Sequence, residues 1–143
     1  AEVLLKKNTE MYYLVRTSWL FGRFGKNFVE TMLKLAKNQN ELKIANDQHG
    51  KPTYAFDLAR KTREIIKRRL SYGVYHVTNE EATTWYDFAE KIFEIKNIKV
   101  KIEPCGSDEF PTPAKRPQYS ILLNTKLSPS RSWQEALREY LSN

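Results

Sequence analysis

Cysteine is nearly missing from this chain. Cys105 stands alone, so no internal disulfide can form, and an intracellular, reducing setting is expected. Histidine is scarce as well: His49 and His76 are the two present, and neither lies at ligand spacing from the other or from the cysteine. A zinc site therefore finds no ligand set, and no metal is expected. The five glycines form neither a G-x-G-x-x-G nor a Walker pattern, which removes the usual phosphate-cradling loops. No G-x-S-x-G elbow accompanies the serines, so hydrolase chemistry of that type has no anchor. No apolar run approaches the roughly 20 residues that a membrane helix needs. The opening AEVLLKKNTE reaches lysines after a short apolar run and does not read as a signal peptide.

What is there suits a single domain or fragment with a real core. The chain has 143 residues, 41% of them hydrophobic and 29% charged, an ordinary globular balance. The net charge of +7 fits nucleic acid, a phosphorylated small molecule, or no specific partner. No nucleic-acid reading motif accompanies it, so none is expected as a partner. The first residue is Ala1 rather than Met, which suggests a piece of something longer.

Periodicity sets out alternating helices and strands, hence an α/β class. Residues 1–10 read as a helix tail and turn, and the continuous apolar run 11–16 predicts a strand buried on both faces. Phe28, Val29, Met32, Leu33 and Ala36 fall at helical spacing after the loop 22–27. A short strand is predicted at 41–46 and a polar loop with Gly50 and Pro52 at 47–53. A second helix runs from Tyr54 to about Leu70 with the stripe Ala55, Leu58, Ala59, Ile65 and Ile66. Another strand is predicted at 73–77. Thr84 and Asp87 mark the capped start of a third helix, whose Phe88, Ala89, Ile92 and Phe93 face inward. Residues 98–102 alternate like a half-buried strand, and 104–120, with four of the six prolines, read as an irregular ordered loop. Ser132 and Glu135 mark the start of a last helix. These strands are too few for a complete doubly wound sheet.

Several groups of residues carry chemistry, each beside a plainer reading. The strand 11–16 runs into Arg16, Thr17, Ser18 and Trp19, and strand ends of this kind often face a ligand crevice in α/β proteins. By spacing, Trp19 also suits a core position. The helix start at Asn27 to Val29, beside Lys26, offers free backbone N–H groups to an anion, as does every capped helix. The basic residues Arg60, Lys61, Arg63, Lys67, Arg68 and Arg69 have no interleaved aromatics and read as a solvated face. Lys115 and Arg116 stand between prolines, which suits a guanidinium set to grip a diphosphate or equally a surface loop. His76 reads as a satisfied core histidine and His49 as a solvated loop residue.

Taken in order, VRTSWLFGRFGKNFVETMLKLAK, DQHGKPTYAFDLA, GVYHVTNEEATTWYDFAEKIFE, FPTPAKRPQYSILLNTKL and WQEALREYL resemble the C-terminal half of the dTDP-4-dehydrorhamnose reductases, which are extended short-chain dehydrogenase/reductases. The resemblance implies the substrate-binding portion of that α/β fold with a few strands of its Rossmann sheet, the N-terminal cofactor-binding part lying outside residues 1–143. It implies a parent that uses NADPH or NADH to reduce the 4-keto group of dTDP-4-dehydro-L-rhamnose, giving dTDP-L-rhamnose for cell-surface polysaccharide, in the cytoplasm. It carries a sugar contact to Trp19, where the family's tryptophan stacks, and nicotinamide neighbours to Thr17 and Ser18. Asn27 and Phe28 would lie near the nucleotide-sugar, with Gln48 and Arg116 as further substrate-binding candidates, Arg116 on the diphosphate.

The departures are as informative. The family's glycine-rich loop and its Y-x-x-x-K pair have no counterpart here: Tyr12 and Tyr13 lie in a strand, and Lys6 does not follow a tyrosine by four. No catalytic residue is expected in this chain, which should be inactive alone. The expected partners are a dTDP-sugar, the missing half, and a second copy pairing through the exposed strand at 11–16. A non-catalytic module, such as the regulatory subunit of methionine adenosyltransferase, is the alternative.

Overall fold

The computed structural model describes residues 1–111, 113, 114 and 116–142. Lys115, grouped with Arg116 above, lies outside them. The class is α/β. In chain order the elements are α1 (Glu2–Asn8), β1 (Tyr13–Arg16), β2 (Leu20–Phe21), α2 (Phe28–Asn38), β3 (Glu41–Ala45), β4 (His49–Gly50), β5 (Thr53–Tyr54), α3 (Ala55–Lys67), β6 (Gly73–His76), β7 (Thr83–Thr84), α4 (Trp85–Lys96), β8 (Lys101–Cys105) and α5 (Trp133–Ser142). The strands form four two-stranded ladders, parallel in β1–β6, β2–β5 and β3–β8 and antiparallel in β4–β7. Among the described residues, no helix is long and apolar enough to cross a membrane.

Thr84 and Ser132 cap α4 and α5 as their spacing predicts, and Asn27 caps α2 in addition. Asn27 Oδ1 accepts from the Glu30 N–H at 3.1 Å, and Thr84 Oγ1 accepts from the Asp87 N–H at 3.1 Å. At α5 the box is reciprocal: Ser132 Oγ accepts from the Glu135 N–H and Glu135 Oε2 accepts from the Ser132 N–H, each at 3.2 Å.

The larger core lies between α2, α4, α5 and β3, where Val29, Phe88, Ile92 and Leu137 are fully buried together with Phe21. Each such side chain contributes about 1.5–3 kcal/mol on leaving water. A smaller core, Ile65, Tyr75 and Val77, joins α3 to β6 and takes Tyr13 and Val15 of β1 against it.

Four expectations are corrected. The strand predicted at 98–102 lies at Lys101–Cys105. Asn97 ends α4 in the left-handed region at φ 50°, and Ile98 and Val100 are needed to reach the sheet while packing on the core. Among the described residues β8 pairs only with β3, so Pro104 is tolerated on an edge strand. β1 is half-buried along its length rather than buried on both faces, since β6 is its sole ladder partner among the described residues. The stripe of α3 divides: Ile65 faces the core, while Ile66 is 58% exposed and lines an open groove with Ala55, Leu58 and Ala59. The polar loop 47–53 is not a solvated loop, because β4 and β5 draw it into ladders that bury Gly50 through Thr53.

Candidate functional site

β1 ends at a bend around Trp19 that the folded loop 47–53 holds in place. Ser18 Oγ donates to the Lys51 carbonyl at 2.8 Å, and the Thr53 N–H donates to the Trp19 carbonyl at 3.1 Å. Lys51, almost fully buried, reaches Glu80 with its Nζ at 2.9 Å. Between the two tethers Trp19 takes a left-handed backbone, φ 45°, a conformation that costs a non-glycine residue about 1–2 kcal/mol. Strain of this kind persists where the surroundings over-determine it, and such places concentrate at ligand sites.

The Trp19 ring is held on both faces. The Trp85 ring stacks on one, with centroids 3.6 Å apart and planes 9° apart. Gly50 lies over the other: a Cβ there would stand 2.4 Å from Trp19 Cε2 and 2.7 Å from both Cζ2 and Nε1. Contact with all three atoms at so short a range places the glycine above the ring plane. Trp85 is fixed in turn, since its Nε1–H donates to Gln48 Oε1 at 3.2 Å and Phe28 packs tilted against it at 4.5 Å. Both faces of the Trp19 ring are therefore occupied, one by Trp85 and the other by the β4 backbone at Gly50, and the ring edge is what they leave.

Gly50→Ala tests this clamp. The added methyl cannot be accommodated unless the indole moves, so a loss of about 1–3 kcal/mol in urea unfolding is expected. Wild-type stability in that variant would mean that the ring shifts freely.

Trp19, Phe28 and Gln48 thus converge on one point, Trp85, with Ser18 tied in through Lys51. Thr17 is close in sequence, and its Oγ1 is buried without a hydrogen-bond partner among the described residues. Asn27 is engaged internally: besides capping α2, its Nδ2 donates to the Gly22 carbonyl at 2.9 Å. Arg116 is exposed on the segment leading to Tyr119, which docks on the same loop. There the His49 N–H donates to the Gln118 carbonyl at 2.6 Å, the Ser120 N–H donates to the His49 carbonyl at 2.9 Å, and the Tyr119 ring stacks on His49. His49 is thus half-buried rather than solvated.

The sequence missed Trp85 and Gly50. Trp85 fits the helical pattern of α4 as its first residue, and nothing local distinguishes it as a partner for Trp19. Gly50 looks like a turn residue in sequence, whereas its φ is ordinary and what it supplies is room for the Trp19 ring.

Charge is arranged around rather than within this cluster. The Arg16 guanidinium donates to both carboxylate oxygens of Glu2, through Nε at 2.9 Å and through Nη2, and Nη1 lies 3.4 Å from His76 Nε2. His76 Nδ1 lies 3.1 Å from the Leu123 carbonyl, so both ring nitrogens are engaged. The Arg16 hydrogen bonds hold the Glu2 carboxyl below its usual range. Asp47, opening the loop, is held below the usual carboxylate range by the Ser107 N–H and then by the Ser107 hydroxyl, both donating to it. Burial pushes the Cys105 thiol up, away from thiolate chemistry.

The Asp47 shift carries a pH dependence. A carboxyl lowered on folding adds stability above its unfolded value of roughly 4, and that stability is lost as pH falls through the lower folded value. A carbon-detected NMR titration should find Asp47 below the ordinary aspartate range and moved upward by Ser107→Ala. An Asp47 that titrates identically in both proteins would contradict the assignment.

Known proteins share this arrangement of elements. A crystal structure of a dTDP-4-dehydrorhamnose reductase from Clostridium acetobutylicum superposes with a TM-score of 0.93 at 44% identity, covering 99% of this chain and 51% of that one. The Bacillus anthracis dTDP-4-dehydrorhamnose reductase, solved in complex with NADP, gives 0.92 at 39% identity, covering 99% and 51%. In sequence, the spore coat polysaccharide biosynthesis protein SpsK of Bacillus subtilis is 40% identical over 146 residues, 98% of this chain and 50% of that protein. The dTDP-4-dehydrorhamnose reductase of Aggregatibacter actinomycetemcomitans is 39% identical over 142 residues, 87% of this chain and 48% of that protein. The chain spans about half the length of the curated relatives it matches. The profile of the RmlD substrate binding domain matches residues 1–143, its whole length, and the chain belongs to that family.

Proposed function

We propose that this chain is the dTDP-sugar-binding portion of a dTDP-4-dehydrorhamnose reductase. The parent enzyme reduces the 4-keto group of dTDP-4-dehydro-L-rhamnose to give dTDP-L-rhamnose. The observation that carries this reading is the fixed ring of Trp19 at the end of β1, beside Ser18 and the buried hydroxyl of Thr17. Trp19 and Phe28 form the wall that the sugar meets, Trp19 with its edge. Asn27 shapes that wall by capping α2, and Arg116, on the exposed segment ahead of Tyr119, reaches for the diphosphate.

Thr17 and Ser18 stand at the end of β1, the position that the family resemblance gives to the nicotinamide end of NADPH or NADH, with the Ser18 hydroxyl tied to the Lys51 carbonyl and the Thr17 hydroxyl buried. When bound, that cofactor supplies the hydride delivered to the keto carbon. These 143 residues hold neither a glycine-rich dinucleotide loop nor a Y-x-x-x-K pair. The general acid and the cofactor loop therefore belong to the N-terminal half of the parent, which is this chain's first partner. A cytoplasmic location accompanies the reading, as does self-association through the edge of β1 that has no ladder partner among the described residues. The named relatives are reductases and a polysaccharide-biosynthesis protein, which favours an enzyme portion over a regulatory module.

Calorimetric titration of the 143-residue chain with dTDP-L-rhamnose, beside UDP-glucose, tests it. Saturable heat with the thymidine nucleotide and a weaker response to the uridine one are expected. Equal or absent heats in a folded sample would refute the reading.

A further inference from the structure

We infer that Gln48 and Trp85 are positioning residues for Trp19: Gln48 fixes the Trp85 indole, and Trp85 with Gly50 fixes the ring that borders the sugar site. The inference rests on the reading of Trp19 as part of that site, and it moves Gln48 from a ligand contact to a supporting role.

The geometry of the ring pair is the starting point. Centroids 3.6 Å apart with planes 9° apart leave little offset between the rings. The quadrupoles of two aromatic rings disfavour such a face-to-face sandwich relative to offset or edge-on arrangements. Left to itself the pair would slide, so other groups must hold it. Three do. The Gln48 carboxamide oxygen accepts from Trp85 Nε1 at 3.2 Å and blocks rotation of that ring. Phe28 packs against the Trp85 ring at 4.5 Å. Gly50 closes the far face of Trp19 with no space for even a methyl group.

The supports form one local unit. β4 pairs with β7 in the register His49↔Thr84 and Gly50↔Thr83. Gln48 stands directly before β4 and Trp85 directly after β7, so the ladder that places Gly50 on one face of Trp19 also places Trp85 on the other and Gln48 beside its N–H. Trp85 is in addition the first residue of α4, which Thr84 caps, so the wall rests on a rigid helix end. The left-handed backbone of Trp19 is the conformation that delivers its ring into this slot.

Three substitutions in the 143-residue chain test the inference. Gln48→Met removes the acceptor at similar volume, Gln48→Glu keeps one, and Trp85→Phe removes the donor. Two quantities are read: the NMR shifts of the Trp19 ring protons, which the Trp85 ring current moves upfield, and the affinity for dTDP-L-rhamnose by calorimetry. Gln48→Met and Trp85→Phe should each shift the Trp19 ring protons, and Gln48→Met should weaken binding several-fold, because a wall with a loosened support no longer holds the binding geometry. Gln48→Glu should restore both readouts.

Unchanged ring-proton shifts in Gln48→Met overturn the inference, and if affinity falls while the shifts hold, Gln48 touches the ligand directly. Altered shifts with wild-type affinity overturn it as well, since the ring position would then not matter to binding. Should the wild-type chain not bind the nucleotide-sugar, the sugar-site reading fails by that result alone, and the ring-proton shifts still decide whether Gln48 holds the stack.

Discussion

Asp57→Ala is expected to lower the unfolding free energy by about 3 kcal/mol, the scale for removing one partner from a buried charged pair. Asp57 is 7% exposed, and its Oδ2 accepts from Arg131 Nε at 2.8 Å and from Asn79 Nδ2 at 2.8 Å. Asn79 is fully buried, and its Oδ1 accepts from the Tyr54 N–H at 2.8 Å. One carboxylate thus ties the start of α3, the turn after β6 and the approach to α5. Without it Asn79 Nδ2 keeps a long contact to the Arg131 carbonyl at 3.3 Å, and the guanidinium keeps Glu139. The loss of a buried acceptor costs the desolvation of both donors, which is larger than the net worth of the bonds themselves. Asp57→Asn, which can still offer one oxygen to both donors, should cost about 1 kcal/mol. Urea unfolding of the three proteins reads the difference, and a loss below about 1 kcal/mol in Asp57→Ala would mean that the network bears little of the fold.

Trp19→Ala should cost about 2–3 kcal/mol of stability and remove dTDP-sugar binding. The stability term comes from an aromatic truncation, reduced from the full core value because Trp19 is only partly buried. It includes the stack on Trp85 and the contact with Gly50, which the truncation leaves as an open slot. The binding term comes from the loss of the wall at the end of β1. Trp19→Phe separates the two, since a smaller ring keeps part of the stack while withdrawing the indole edge and its N–H. Stability in Trp19→Phe should stay within about 1.5 kcal/mol of wild type, the range for a swap that keeps the ring, with binding still weakened. Full affinity in Trp19→Ala would remove the tryptophan from the site.

The sequence made much of this legible because its local signals and its tertiary needs agree. Capping boxes at Thr84 and Ser132 mark the starts of α4 and α5, and the apolar spacing of α2 and α4 is the spacing that the core uses. Legibility failed where partners distant in sequence decide. The loop 47–53 looks polar and open, yet ladders with residues 20–21 and 83–84 bury its middle, and no local pattern announces that. Ile98 and Val100 alternate like a strand but serve the core, because a left-handed Asn97 must first turn the chain. At the site, Trp19, Phe28 and Gln48 were found by resemblance, whereas Trp85 was hidden by a helical pattern into which it fits equally well. A stacked pair separated by 66 positions leaves no trace in periodicity.

The most direct measurement is the indole N–H spectrum of the chain during titration with dTDP-L-rhamnose. The three tryptophans give three resonances, and Trp133 sits 4% exposed against Phe88 in the larger core. Saturable movement of the Trp19 and Trp85 resonances, with Trp133 still, is the predicted result. Movement of Trp133 alone, or none of the three in a folded sample, would contradict a sugar-nucleotide site at the end of β1.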